Sequence, residues 1–276
     1  MPGAARLWSI AERLQARAQP VRPAGLRPLV LAGRIVGWTQ PEVAAFLAER
    51  ASGFIEHNGS LLLRDEGLGA RARSALLFEA ALRLRDAGLV RGWRDEQLAV
   101  RAEPDGAALA TVERAACRAF GITTEAVHLN GYADDGTLFV ARRAPHKPID
   151  PDRWDNLVGG MVPADETLEQ ALEREAWEEA GIELDRVEVH HGRSFHMRRP
   201  VAEGYQSERI HVFDATLPAE TTCANQDGEV AAIARRTLTE VVQAIEDDAF
   251  TLEAALATIE SLTRRSGCAT PPGLFE

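Results

Sequence analysis

Long apolar runs are missing from this chain of 276 residues. Its longest, "PLVLAG" and "SALLFEAAL", are too short and too interrupted to span a bilayer. Residues 1–20, "MPGAARLWSIAERLQARAQP", lack the basic start, apolar core and small-residue cleavage site of a secretory leader. Their spacing is that of a short amphipathic helix, so a cytoplasmic location is expected. Cysteine is scarce as well. Cys117, Cys223 and Cys268 lie far apart and form no CxxC pair. That excludes a disulfide framework and a zinc knuckle and suits a reducing compartment; small buried thiols are expected. Internal repeats and low-complexity tracts are also absent. Lysine is almost missing: Lys147 stands alone.

What is present is an ordinary globular composition, 45% apolar and 26% charged, with a net charge of −11. The charge is unevenly spread. Residues 1–125 carry 17 basic and 14 acidic side chains, and residues 126–276 carry 14 and 28, so the halves stand at +3 and −14. Phosphate backbones bind to basic stripes, so the acidic half is a poor nucleic-acid surface. It suits a domain that collects divalent cations and meets anionic ligands through them, or simply a solvated acidic surface.

Residues 1–20 read as a helix, and "LVLAGRIVGWT" as a pair of short strands around a glycine. "TQPEVAAFLAER" reads as a helix capped by Thr39 with Pro41 in its first turn. "GFIEHNGSLLLR" reads as a hairpin turning at Asn58-Gly59, and "ARSALLFEAALRLRDAGL" as a helix stopped at Gly88. "GWRDEQLAVRAE" is a strand, and "ATVERAACRAFG" a helix ended by Gly121. Residues 1–123 thus form a smaller α+β unit without a catalytic cluster. In residues 124–276, "AVHLNGYADDGTLFVARR" is a hairpin and "WDNLVGGMV" an apolar strand ending in glycines. "VEVHHGRSFH" and "ERIHVFDATL" are strands, and "RRTLTEVVQAIEDD" and "FTLEAALATIESLTRR" are helices. Strands on both sides of a central helix predict a mixed sheet packed between helices.

That central helix breaks its own pattern. In "GGMVPADETLEQALEREAWEEAGI", residues 159–182, Thr167 and Gln170 have capping-box spacing and Gly181 stands where a left-handed cap ends the helix. At about 100° per residue, Leu168, Ala171 and Leu172 form the core face, yet Glu175 and Glu179 fall within about 20° of Leu168. Glu178 lies to one side, beside Arg174. Buried carboxylates without partners cost several kcal/mol, and two of them one turn apart repel. Arg174 alone cannot neutralise three glutamates. A hard divalent cation held by carboxylate and phosphate oxygens fits the requirement.

The same segment resembles the signature of the Nudix hydrolases, G-x5-E-x7-R-E-U-x-E-E-x-G-U with U apolar. Gly160, Glu166, Arg174, Glu175, Ala176, Glu178, Glu179, Gly181 and Ile182 stand in register, and only Ala176 is small for its position. The resemblance implies an α+β Nudix fold and hydrolysis of a diphosphate with Mg2+ (or Mn2+). It makes Glu175, Glu178 and Glu179 metal ligands, one of them doubling as the base. Glu166 pairs with Arg174, Gly160 permits a tight turn, and Gly181 ends the helix. A fourth carboxylate is expected from "NQDGEV", with Glu229 favoured over Asp227 as ligand or general base. Arg142 and Arg143, at a strand end, are candidates for the outer phosphate.

Upstream, "GWRDEQLAV", "VERAACRAFGI" and "WDNLVGGMV" look like a Nudix subgroup whose N-terminal domain recurs fused to thiamine pyrophosphokinase in fungi. Its enzymes convert thiamine diphosphate, preferably oxidised or damaged analogues, to the monophosphate. A small-molecule diphosphate is therefore the expected partner, with no nucleic acid and no membrane. Trp154, Phe195 and His196 are candidates for an aromatic pocket wall; the three nearby histidines lack zinc spacing. The signature equally serves hydrolases of ADP-ribose, dinucleotides and other nucleoside diphosphate derivatives. An isomerase on this fold would need a positioned cysteine, and a non-catalytic regulator would have lost the glutamates. The N-terminal unit is expected to cover the pocket or build a homodimer.

Overall fold

The computed structural model describes residues 2–147 and 149–276. In the first half, β1 (Arg27–Leu31), β2 (Arg34–Thr39), β3 (Phe54–His57) and β4 (Ser60–Leu63) form a sheet of order β2-β1-β4-β3. Helices α2 (Pro41–Arg50) and α3 (Ala70–Asp86) share its apolar core, where Leu47, Leu61 and Leu77 are fully buried. The β3–β4 hairpin turns at Asn58 and Gly59, with φ of 47° and 76°, the paired left-handed conformation that this dipeptide adopts cheaply. A second hairpin, β5 (Gln97–Val100) with β6 (Ala110–Glu113), runs into a short helix α4 (Cys117–Phe120).

Two details differ from the sequence reading here. Ala110–Glu113, read as the start of a helix, is a strand, because Glu113 pairs back onto Gln97 and caps the turn that follows. Thr39 does not cap α2. It ends β2 with its hydroxyl donating to Ala119 O at 2.7 Å, and Gln40 precedes the helix instead.

The second half is built on β7 (Thr123–Ala133), β8 (Leu138–Arg143), β9 (Trp154–Asp155), β10 (Val158–Met161), β11 (Val189–Val201), β12 (Gly204–Leu217) and β13 (Val230–Arg236). The order is β11-β12-β7-β8-β13, with β10 on β7 and β9 on β8. β12 runs parallel to β7 over the full length of β7 and the remaining pairs are antiparallel, so the sheet is mixed as expected. Helix α5 (Leu168–Ala180) covers one face, and α6 (Leu238–Glu246) and α7 (Leu252–Ser266) cover the other. β13 has no counterpart among the strands expected from the sequence, and "WDNLVGGMV" holds two short strands, β9 and β10, rather than one.

Helix α1 (Ala4–Ala18), grouped above with residues 1–123, packs its Leu7, Ile10, Ala11 and Leu14 into the core shared with α7 and β11. Helical spacing showed that it had an apolar stripe but not which sheet would receive it. A small-molecule site has a place to form where one edge of β7 is divided. Residues 131–132 pair with β8, whereas residues 126–129 pair with β10. The sheet forks there, and the functional side chains gather in the fork.

Candidate active site

The capping box at Thr167 forms as the sequence predicts: Gln170 N donates to Thr167 Oγ1 at 3.2 Å, and Thr167 N to Gln170 Oε1 at 2.9 Å. At the other end Gly181 has φ of 66°, the left-handed C-cap. With both ends fixed, α5 aims Glu175 and Glu179 inward and leaves Trp177 exposed.

Arg174 spends every nitrogen on this cluster. Its Nε and Nη2 donate to Glu166 at 2.9 and 3.0 Å, and its Nη1 to Glu175 at 2.8 Å and Glu178 at 3.0 Å. Glu179 is 8% exposed and, among the described residues, has one hydrogen bond, accepted from Gly159 N at 2.8 Å. Burial raises its carboxyl well above the usual range, and the neighbouring Glu175 raises it further. Burial also raises Glu175, against the pull of Arg174. One guanidinium among four glutamates, with only weaker help from Arg114 at Glu175 and Lys147 at Glu179, leaves the inner two short of positive charge.

Gly160 has a different use from the tight turn expected of it. It sits within β10, opposite Val127, and a Cβ there would overlap the Glu175 carboxylate. Its bare backbone makes room for that carboxylate.

Glu229 reaches the cluster through the loop before β13. Gln226 N donates to Glu178 O at 2.7 Å, and Asn225 Nδ2 donates to the same oxygen at 3.3 Å. Ala224 N donates to Ala180 O at 2.9 Å, so the end of α5 sets the path of the loop. Glu229 then forms an ion pair with Lys147, the single lysine of the chain. Burial pushes the Glu229 carboxyl up, but the Lys147 hydrogen bond and charge prevail and hold it below its ordinary value.

These groups line a cavity of about 490 Å³. Glu175, Glu178, Glu229, Asp227, Arg174 and Gly160 are in its wall, and Glu179 lies beneath it on Gly159. Arg143, a candidate for the outer phosphate, also lines it, and the rest of the lining was not foreseen from the sequence. The N-terminal half contributes Arg94, Glu96, Arg114 and Arg118, and the strands and α7 contribute His128, Asp155, Gln206, Glu208 and Glu253. Lys147 was the one member with a sequence signal, its uniqueness.

The other four candidates for substrate binding, Arg142, Trp154, Phe195 and His196, lie elsewhere. Arg142 is exposed and faces Asp152 at 3.5 Å, because alternation along β8 turns it away and turns Arg143 into the cavity. Trp154 packs on the α7 core under the Arg236 guanidinium. Phe195 is fully buried in that core, and His196 borders a separate cleft of about 120 Å³ with Arg198. Of the cysteines, only Cys117 is buried, and burial pushes its thiol up to about 12; Cys223 and Cys268 are partly exposed.

As they stand, no three acidic, histidine or cysteine side chains among the described residues converge on one point, since Arg174 bridges Glu175 and Glu178. The donor set is nevertheless one of hard carboxylate oxygens, and the under-compensated pair Glu175 and Glu179 fits a dication.

A family model described as "NUDIX domain" matches residues 124–256. Residues 124–256 are a NUDIX domain. Ahead of it, a model described as "Domain of unknown function (DUF4743)" matches residues 9–124. The chain thus has the Nudix fold with a smaller N-terminal α+β domain, and it is a hydrolase enzyme. Among its relatives is Nudix hydrolase 24, chloroplastic, of Arabidopsis thaliana, 25% identical over 267 residues that cover 90% of this chain and 70% of the relative. Nudix hydrolase 20, chloroplastic, of the same plant is 27% identical over 246 residues, covering 81% and 63%. The match thus spans under two thirds of that second relative. The crystal structure of DR0079 from Deinococcus radiodurans aligns with a TM-score of 0.49 and 25% identity, covering 62% of this chain and 98% of that one.

Proposed function

We propose that this chain hydrolyses a diphosphate with the help of Mg2+ (or Mn2+), and that its substrate is thiamine diphosphate or an oxidised or damaged analogue, released as the monophosphate and phosphate. One observation carries the reaction class: Glu175 and Glu179 are turned inward at the cavity with too little positive charge beside them. Glu175, Glu178 and Glu179 would hold the metal. Once bound, a dication screens phosphate charge and lowers the pKa of the attacking water.

The remaining work falls to the chain itself. Gly159 N fixes one Glu179 oxygen, and Arg174 ties Glu175 and Glu178 to Glu166. Lys147 keeps Glu229 ionised, the state in which it accepts a proton from water. Glu229 is therefore the general base in this reading.

Ring recognition rests on charge. No Phe, Tyr or Trp lines the cavity among the described residues, so a purine finds no aromatic face there. Gln206 Nε2 instead donates to Glu208 at 2.9 Å and to Glu253 at 3.4 Å, and Glu253 Oε2 is buried with no hydrogen-bond partner among the described residues. Burial raises the Glu208 carboxyl, and Glu253 raises it further. A ring that carries positive charge and an amino group answers such a wall; intact thiamine has both, whereas oxythiamine keeps only the charge and a ring-oxidised thiazole only the amino group. The three unpaired cysteines support a cytoplasmic location within the same proposal.

The test is a screen for phosphate release from thiamine, oxythiamine and adenosine diphosphates and for AMP release from ADP-ribose, in Mg2+ and in Mn2+. Fastest turnover is expected for the thiamine class. AMP release from ADP-ribose that outpaces it would replace the substrate assignment and leave the reaction class standing.

A further inference from the structure

The cations of the NUDIX domain that line the cavity are already engaged. Arg174 is used in full by Glu166, Glu175 and Glu178. Arg143 donates from all three nitrogens to Asp155 and to Ile149 O, and Lys147 is paired with Glu229. A diphosphate would meet metal on one side and would still need donors on another.

The N-terminal domain has such a donor. Arg114 lines the cavity and is anchored twice to Glu96: its backbone N donates to Glu96 O at 2.9 Å, and its Nη1 to Glu96 Oε2 at 2.7 Å. Its Nε and Nη2 have no protein acceptor among the described residues, and 35% of the side chain remains accessible. Glu113, fully buried, accepts from Arg94 N at 2.9 Å and Ala115 N at 3.3 Å and so fixes the backbone on both sides of the hairpin. The hairpin is docked in turn. Ala164 N, on the loop that enters α5, donates to Gln97 O at 2.8 Å, and Arg101 pairs with Glu125 at 3.0 Å. The charge of Arg114 is felt at both Glu175 and Glu229.

We propose that the N-terminal domain is a wall of the active site, and that Arg114, held by Glu96 with Arg94 beside it, binds the diphosphate of the substrate. The domain's task is thus phosphate binding on a preorganised guanidinium. This inference rests on the diphosphate reading above.

Its test uses the full chain and methylenediphosphonate, a diphosphate that cannot be hydrolysed, titrated calorimetrically in saturating Mn2+. Arg114→Ala should weaken binding roughly ten- to a hundred-fold, the range for a lost charge-assisted contact, and Arg114→Lys should restore only part of it. Binding of Mn2+ alone should not change. Arg94→Ala, at an exposed side chain whose loss does not threaten the fold, should weaken binding a few-fold. Diphosphonate binding by Arg114→Ala at wild-type strength would overturn the role of the N-terminal domain while leaving the function standing. Wild-type protein that binds Mn2+ but no diphosphonate would overturn both.

Discussion

Helices α5 and α7 each bury a glutamate, and the two are treated in opposite ways. In α7, Glu260 is fully buried and accepts from Arg193 Nε at 2.9 Å, Arg193 N at 3.3 Å and Arg264 Nε at 3.1 Å. Beside it Asp214, 1% exposed, accepts from Ser261 Oγ at 2.7 Å, Arg264 Nη2 at 2.9 Å and Asn130 Nδ2 at 3.2 Å. In α5, Glu179 has a single backbone donor, and the nearest guanidinium is committed to its neighbours. Burial of a carboxylate therefore says little by itself. The supply of donors tells a structural network, complete within the chain, from a site that needs something from solution.

The sharpest way to break that contrast is Glu179→Gln. An amide keeps the shape and removes a charge that the proposed metal would need, so the rate should fall on the order of 10³-fold. Metal-free stability should hold or rise, since a raised carboxyl is lost from the interior. Steady-state rates and thermal melts measure both effects, and a marked loss of stability would place Glu179 with Glu260 as a structural residue.

The reciprocal change is Glu260→Ala. It strips two guanidinium groups of a buried partner and should cost about 3 kcal/mol, lowering Tm by roughly 6–12 °C. The rate per folded molecule should change little, as enzyme assays well below the melt would register.

Metal should separate the two clusters next. At a free Mn2+ concentration about a hundred times its Kd, the wild type should gain about 2.7 kcal/mol of stability. Glu260→Ala should keep that gain and Glu179→Gln should lose it, as calorimetric melts with and without EDTA would reveal.

His196 gives the smallest and most local effect. It lies outside both clusters, with Nε2 lacking a partner among the described residues. Burial, and then the charge of Arg198, lower its pKa to about 4 from 6.5. A depressed folded value means that its contribution is complete above pH 6.5 and lost as pH falls through about 4. The loss should be about 1–2 kcal/mol once solvent relaxation is allowed for. Melts of wild type and His196→Gln between about pH 7 and pH 4.5 should converge in acid, and parallel curves would refute the assignment.

The legibility of the sequence followed local physics. The capping box at Thr167, the left-handed caps at Gly121 and Gly181, and the Asn58-Gly59 hairpin are decided within a few residues, and each could be read in advance. β13 escaped because "VAAIARR" is a half-exposed edge strand, alanine-rich and without clear alternation, paired only with β8. Arg142 and Arg143 could not be told apart until the pairing with β9 and β13 set which of them faced the fork. Phe195 and Trp154 looked like pocket walls only because aromatic character is shared by pockets and cores.

By itself the sequence determined helix α5, its caps and the carboxylates that repeat along one face, because these depend on helical periodicity and contacts between near neighbours. Tertiary structure alone decided that Gly160 lies beneath Glu175, that Lys147 meets Glu229, and that α1 joins the NUDIX core while Arg114 lines its cavity. Those encounters join residues far apart in the chain, and strand order and packing, which no local pattern encodes, choose the partners.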